Sequence, residues 1–252
     1  MSQAPPQSAP TLESYFGFLR RLEEAGFEAV VIGGCAVGAY ARSIGATVVS
    51  QDLDLLATQA TLDGILADAA ALDLSVEKWP QPRTVPVAVL RWAGLEINIL
   101  TASEGFSPAD IEVQLAREFK VVPSDPFCVL VVDPFDLLRN KLAVRRAKDH
   151  AHIEILRAYL EEEVLGHFQS APTARERLGP VVRYLDVLGI TTLPLGLAQK
   201  LIPLARELAD YRMLAHRIPL ELSQVLQQAA SSEANQQVIE QVLKARRQDG
   251  SG

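Results

Sequence analysis

Asp52 and Asp54 lie two residues apart in the run Ser50-Gln51-Asp52-Leu53-Asp54-Leu55-Leu56. Carboxylates alternating with leucines have the period of a half-buried strand, so both acids face one side while Leu53 and Leu55 enter a core. Two like charges held that close repel, and one takes up a proton unless a cation is shared between them. A hard divalent ion suits such a pair, because Mg²⁺ takes one or two carboxylates together with substrate phosphates. An Asp-x-Asp at a solvated strand end is the competing reading of the same residues.

Two further patterns bear on that choice. Gly33-Gly34 follows Phe27-Glu28-Ala29-Val30-Val31-Ile32 and precedes a short helical run, residues 35–42. A glycine pair between strand and helix lets backbone N–H groups approach an anion closely, though an ordinary tight turn has the same sequence. No Gly-Lys-Ser/Thr follows and no Gly-x-Gly-x-x-Gly is present, which disfavours the phosphate-loop and dinucleotide folds. Downstream, Leu95-Glu96-Ile97-Asn98-Ile99-Leu100 puts Glu96 and Asn98 on one face. Beside the Asp52 strand they complete an oxygen-rich cluster; alternation on any half-exposed strand explains them equally. His152 reads as a metal ligand or, with only His150 nearby and on another helix face, as a helix-surface histidine. Cys35, after the glycines, is either a thiol of lowered pKa at a helix start or a small packing residue. Trp79 and Trp92 suit stacking on a base or packing of a hairpin.

The elements that must carry these residues follow from periodicity. After a proline-rich lead-in over 1–10, Tyr15, Phe18, Leu19, Leu22 and Ala25 fall at helical spacing up to Gly26. The Gly-Gly unit and the Asp52–Leu56 strand come next, then a helix over 61–74. A turn-rich patch with Pro80, Pro82 and Pro86 leads into a hairpin, 85–92 and 95–100 about Gly94. A short helix over 108–117 and strands over 119–122 and 127–132 complete an α/β core spanning 11–132. From Pro134 the chain reads as helical over 133–248. Phe135, Leu138, Leu142 and Arg145 line one side of the first helix, a second follows over 149–163, and residues 133–165 pack on the core. Prolines 172, 180, 194, 203 and 219 divide the additional helices of 166–248, the last over 233–247.

Composition narrows the class. The chain has 252 residues, 48% hydrophobic and 22% charged, enough for a sizeable core without staples. Its two cysteines, Cys35 and Cys128, make neither a disulfide framework nor a zinc spacing. With no signal-like start and no apolar run long enough to span a bilayer, a cytoplasmic protein without membrane attachment is expected. The net charge of −7 divides into 14 basic and 23 acidic residues over 1–166, against 10 and 8 beyond. That balance gives no uniform basic face for a nucleic-acid backbone, yet leaves room for a small basic groove.

Taken in order, strand, Gly-Gly, short helix, Ser-x-Asp-x-Asp strand, helix and polar-alternating strand resemble the nucleotidyltransferase superfamily of DNA polymerase beta type. Within it, the minimal nucleotidyltransferases and AbiEii-like toxins are the nearest in pattern. The likeness rests on Val31-Ile32-Gly33-Gly34-Cys35-Ala36-Val37, Ser50–Leu56 and Glu96–Leu100. It also rests on Pro134-Phe135-Asp136-Leu137-Leu138-Arg139-Asn140-Lys141-Leu142 with Arg146-Ala147-Lys148-Asp149. The resemblance implies a small mixed-sheet core followed by a helical C-terminal region, with Mg²⁺ or Mn²⁺ held by Asp52 and Asp54. It implies a nucleoside triphosphate, ATP among them, against Gly33, Gly34 and Ser50. Lys141 would approach the triphosphate, and Lys148 and Asp149 would orient the helical part; set apart from the resemblance, both lysines equally suit a solvated helix face.

The implied activity is transfer of a nucleotidyl group to a hydroxyl of RNA (a tRNA end included), a protein or a small molecule, with a cognate antitoxin as a further implied partner. This chain departs from the family at two places, and again further on, where His152 stands for the carboxylate that many relatives carry after the Lys-Asp signature. Asn98 stands where relatives carry a third aspartate, and its neutral amide has neither the charge nor the basicity of a carboxylate. Glu96, on the same face, is the nearest substitute. Val48 stands where many relatives have an arginine, and Arg42 is too far away in sequence to replace it. A nucleotide- or partner-binding protein of the same fold that no longer transfers is therefore the alternative.

Overall fold

The structure, a computed structural model, describes residues 9–80, 87–106, 117–120 and 127–218. Its chain divides into two compact units, Met1–Tyr159 and Leu160–Gly252. The first is a mixed β-sheet with helices, and helices alone are described in the second.

In the first unit a 3₁₀ turn, Leu12–Tyr15, runs into α1, Phe16–Glu24. Gly26, at φ +76°, breaks the helix and turns the chain into β1, Val30–Ile32. α2, Gly33–Ser43, begins on the residue after β1 and is buried along most of its length. β2, Asp52–Leu56, is followed by α3, Gln59–Ala67, capped by the Thr58 hydroxyl accepting from the Thr61 amide. Helix was expected to continue to residue 74. It ends at Ala67 instead, in a series of turns closed by Asp73 at φ +56°. β3, Ser75–Lys78, was absent from the sequence reading, because only Val76 of its four residues is apolar and most of it is exposed at the sheet edge. β4, Val87–Trp92, and β5, Leu95–Leu100, form the expected hairpin. Ala93 and Gly94, both at positive φ, give the tight turn that matches strand twist.

Two strands follow, β6, Arg117–Lys120, and β7, Cys128–Val131. The helix expected over 108–117 lies outside the described residues except for Arg117, which is strand, and so do Val121 and Val122. Among the described residues the sheet order is β3-β4-β5-β2-β1-β7-β6. β2 sits at its centre, antiparallel to β1 and parallel to β5. Val31, Leu53, Leu55, Ile97, Ile99 and Val131 are fully buried. Their burial fixes the register, because a one-residue slip of β2 would drive both aspartates into that core.

α4, Pro134–Val144, starts on the Asp133 cap, whose carboxylate accepts from the Phe135 amide at 2.9 Å, with proline at the first helical position. Phe135 and Leu138 are buried as expected, but Arg145 is not on the helix: it caps the end in a left-handed conformation at φ +50°. Lys141 is the long side chain that goes inside. α5, Asp149–Ser170, is a single helix of 22 residues, longer than expected.

In the second unit α6 is Ala174–Leu188, α7 Leu195–Leu201 and α8 Leu208–Arg217. Pro180 was expected to divide helices and instead lies inside α6. A reciprocal cap between Thr173 and Glu176 secures the start, and Val181, Tyr184 and Leu185 are fully buried beyond it. The proline therefore removes one ladder bond from a helix held on both sides of the break. Pro219 and the helix expected over 233–247 lie outside the described residues. Arg177 (1% exposed) meets fully buried Asp210, its Nε donating at 3.2 and 3.1 Å to the two carboxylate oxygens. The Arg206 and Glu207 amides also donate to Asp210, at 2.9 and 3.1 Å. Without Asp210, the Arg177 charge falls back on the half-exposed Glu207, at 2.8 Å, and the two amides lose their acceptor. Asp210→Ala is expected to destabilise this unit by about 3–5 kcal/mol, read as a lowered urea midpoint for the loss of helical circular dichroism.

Candidate nucleotide and metal site

β2 holds Asp52 and Asp54 half-buried on one face, and strand pairing supplies their neighbours. In register, Ile32 of β1 lies opposite Asp54, Asn98 of β5 lies opposite Asp54, and Glu96 lies opposite Asp52. The Asn98 amide nitrogen donates to both acids, at 3.0 Å to Asp52 Oδ2 and 3.1 Å to Asp54 Oδ1. The Ser50 hydroxyl donates to Asp52 Oδ1 at 3.2 Å.

The glycine turn meets this group directly. A Cβ at Gly33 would fall 2.2 Å from Asp54 Oδ2, and Gly33 has φ +70°. At Gly34 a Cβ would fall 2.5 Å from Ser50 Oγ and 3.7 Å from His152 Cε1. Glycine is required at both places by contact, and at Gly33 by backbone conformation as well. Close approach of backbone to carboxylate is thus built into the junction of β1 and α2.

Electrostatics follow from that crowding. Burial raises the pKa of Asp54, and the neighbouring Asp52 raises it further; the hydrogen bond from Asn98 and the charges of Lys141 and Lys148 pull it down but do not prevail. A second polar cluster comes from α4 and the start of α5. Lys141, 2% exposed, donates from Nζ to Asp149 Oδ1 at 3.0 Å, and Arg146 donates to Asp149 Oδ2 at 2.9 Å. Burial works against the Asp149 charge, but the Arg146 and Lys141 hydrogen bonds outweigh it and hold the carboxyl at about 2. Lys141 is therefore ion-paired inside the fold, whereas Lys148 is exposed.

Several side chains stand differently from the sequence reading. Glu96 ion-pairs with Arg91 at 3.7 Å, and Arg91 also holds Glu77, so this carboxylate is drawn along β4 and does not bond to the aspartates. Arg42 is likewise engaged, by Glu13. His152 is no surface histidine: its side chain is 18% exposed and its Nδ1 is buried without a hydrogen bond, 3.7 Å from Asp149 Oδ1. Cys35 is buried, and burial followed by the fields of Asp54 and Asp52 pushes its thiol up to about 12, the reverse of an activated cysteine. Its Sγ donates to the Asp52 carbonyl at 3.4 Å. Trp92 packs beside Phe18, ring centroids 6.2 Å apart, and Trp79 is 56% exposed.

Tyr15 gives no sequence signal as a polar group, because its position in an apolar stripe suggests packing alone. Its ring is fully buried and its hydroxyl has no hydrogen-bond partner. Burial, then Cys35, Asp52, Glu96 and Asp54, raise its pKa.

The donor set can be tested against the divalent ion the sequence implies. Among the described residues no group of three or more His, Cys, Asp and Glu comes together as a metal cluster. What the site offers is two carboxylates whose repulsion a cation would relieve, plus an amide whose oxygen turns inward on a half-rotation. That set fits one hard ion completed by water or phosphate oxygens, and it does not supply a third carboxylate.

No protein-family model matches this chain, and no curated protein matches it. Among solved structures it is similar to the antibiotic-resistance factor ANT(2'')-Ia in solution, at 14% identity and a TM-score of 0.44, over 71% of this chain and 92% of that one. It is also similar to the crystal structure of an antigenic nucleotidyltransferase-like protein from Paracoccidioides brasiliensis. There the identity is again 14% and the TM-score 0.34, over 84% of this chain and 94% of that one. Overlaps this loose transfer no residue role. Among the described residues no helix is long and apolar enough to cross a membrane.

Two substitutions probe the crowding. Gly33→Ala forces a side chain into left-handed backbone against Asp54, and a loss of about 1–3 kcal/mol is expected in urea unfolding. Asp54 holds its proton more tightly folded than unfolded, so its contribution to stability falls as pH rises through the folded value. Asp54→Asn is thus expected to raise the melting temperature by a few degrees, roughly 2–4 °C, at neutral pH. The gain should shrink as pH drops to about 4 and below, where the carboxyl of the unfolded chain takes up its proton too.

Proposed function

We propose that the chain transfers a nucleotidyl group from a nucleoside triphosphate to a hydroxyl acceptor, releasing pyrophosphate. The observation that carries this reading is the side-by-side placement of Asp52 and Asp54 against the Gly33–Gly34 turn, where no Cβ fits. Carboxylates kept together despite burial and repulsion call for a positive partner, and the adjoining start of α2 offers backbone N–H groups to an anion bound with it.

In this reading Asp52 and Asp54 hold Mg²⁺ or Mn²⁺, with the Asn98 carbonyl as a neutral third donor. The bound ion neutralises the triphosphate and its pyrophosphate leaving group. Backbone N–H groups at the start of α2 bind phosphate oxygens, and Ser50 keeps Asp52 oriented. Lys141 acts from behind, as a buried charge on Asp149, and Lys148 faces the incoming anion. The acceptor oxygen bonds to the α-phosphorus as the bond to pyrophosphate breaks. Its proton passes to an aspartate or to water, because Asn98 cannot take it. The narrower likeness to minimal nucleotidyltransferases and AbiEii-like toxins, with a cognate antitoxin and a cytoplasmic location, belongs to this proposal too.

A second reading has its own observation. The Asn98 amide donates to both carboxylates, so the pair is held together without a metal. A nucleotide- or partner-binding protein that no longer transfers would look the same.

Each labelled triphosphate, incubated with Mg²⁺ or Mn²⁺ and pooled RNA, protein and small hydroxyl acceptors, separates the two. Transfer by the wild type, reduced about a thousandfold or more in Asp52→Ala and Asp54→Ala, is the expected result. An inert wild type beside an active Asn98→Asp variant would establish the binding module instead.

A further inference from the structure

We propose that His152 is a phosphate-binding residue of this site, set against the Gly33–Gly34 turn to donate a hydrogen bond to a phosphate oxygen. The inference rests on reading that turn as the seat of the triphosphate, and it gives a role to a residue outside the carboxylate pair. His152 lies one turn into α5, and its ring meets the glycine turn at Gly34, the point that Ser50 Oγ also approaches. Nδ1 is buried and unbonded, and Nε2 is the nitrogen this proposal assigns to the ligand.

The charged groups around the ring are uneven in sign. Lys141 from α4, Arg146 from the connection and Lys148 from the turn before α5 are cations, and Asp149 is an anion. Toward the glycine turn the neighbour is Ser50, with Asp52 behind it. Burial and then Lys141 hold the imidazole neutral; Asp149 opposes them without prevailing. An arriving phosphate puts negative charge among three cations, offsets their share of the resistance to protonation, and favours the charged ring. The imidazole then takes a proton from solvent. One N–H turns toward Asp149, now 3.7 Å from Nδ1 and too far to bond, and the other donates to the phosphate. A role as proton acceptor for the attacking hydroxyl fits less well, since the ring meets the site at Gly34 and Ser50, while Asn98 and Asp54 form its other side.

Calorimetric titration with inorganic tripolyphosphate and magnesium, at about pH 6 and about pH 8, tests this on the full chain. The wild type should bind more tightly at the lower pH. His152→Ala should weaken binding about tenfold there and abolish the pH dependence; His152→Gln, which keeps a donor, should recover part of the affinity without the pH dependence. In the wild type, imidazole ¹⁵N resonances should show both His152 nitrogens protonated once tripolyphosphate is bound, a readout that does not depend on how a variant folds. Tripolyphosphate binding with an unchanged His152 signal, or equal affinity in His152→Ala, overturns this inference alone. No binding by the wild type at either pH overturns the anion seat, and the inference with it.

Discussion

The central constraint on this fold is the repulsion between two acids that the sheet holds together. β2 is flanked on both sides, by β1 and β5, so its leucines are committed to the core and its aspartates to the opposite face. Neither acid can turn away without a register slip that would expose Leu53 and Leu55. The surrounding residues answer that repulsion with what they have: an amide donating to both carboxylates, a serine hydroxyl on one, and cations on neighbouring elements. None of these neutralises the pair, since Asp54 still holds its proton more tightly than a free carboxyl. A protein selected only for stability would not keep such an arrangement.

The basic cluster is the counterpart of the acidic one. Lys141 and Asp149 are both inside, and Arg146 closes the pair from the surface. This fixes the start of α5 against α4 and so sets the ring of His152 beside Gly34. A buried ion pair is weak evidence for net stability, but it is a strict specification of position. Here it positions the His152 ring of α5 on the glycine turn.

Local signals made much of this legible. The Asp-Leu alternation of β2, the apolar stripe of α1 ending at Gly26, the hairpin around Gly94 and the Asp133-Pro134 helix start are statements about neighbours in sequence, and the structure has them at those residues. What was not legible depends on partners far along the chain. β3 has a polar sequence because only its backbone joins the sheet. Glu96 reads as a spare carboxylate until Arg91 is found across the hairpin. Lys141 reads as a surface lysine until Asp149 closes on it. His152 and Tyr15 have unremarkable positions in helical patterns, and only packing shows that each has a buried polar atom without a partner.

The order in which the chain leaves the ribosome gives the Lys141–Asp149 pair one more consequence. The lysine is synthesised eight residues before the acid that neutralises it. A nascent chain that stops between them would have to bury an ammonium with no counter-charge, so the sheet cannot close fully over α4 at that stage. Closure waits for the first turn of α5, by which time every described strand of the sheet is already made.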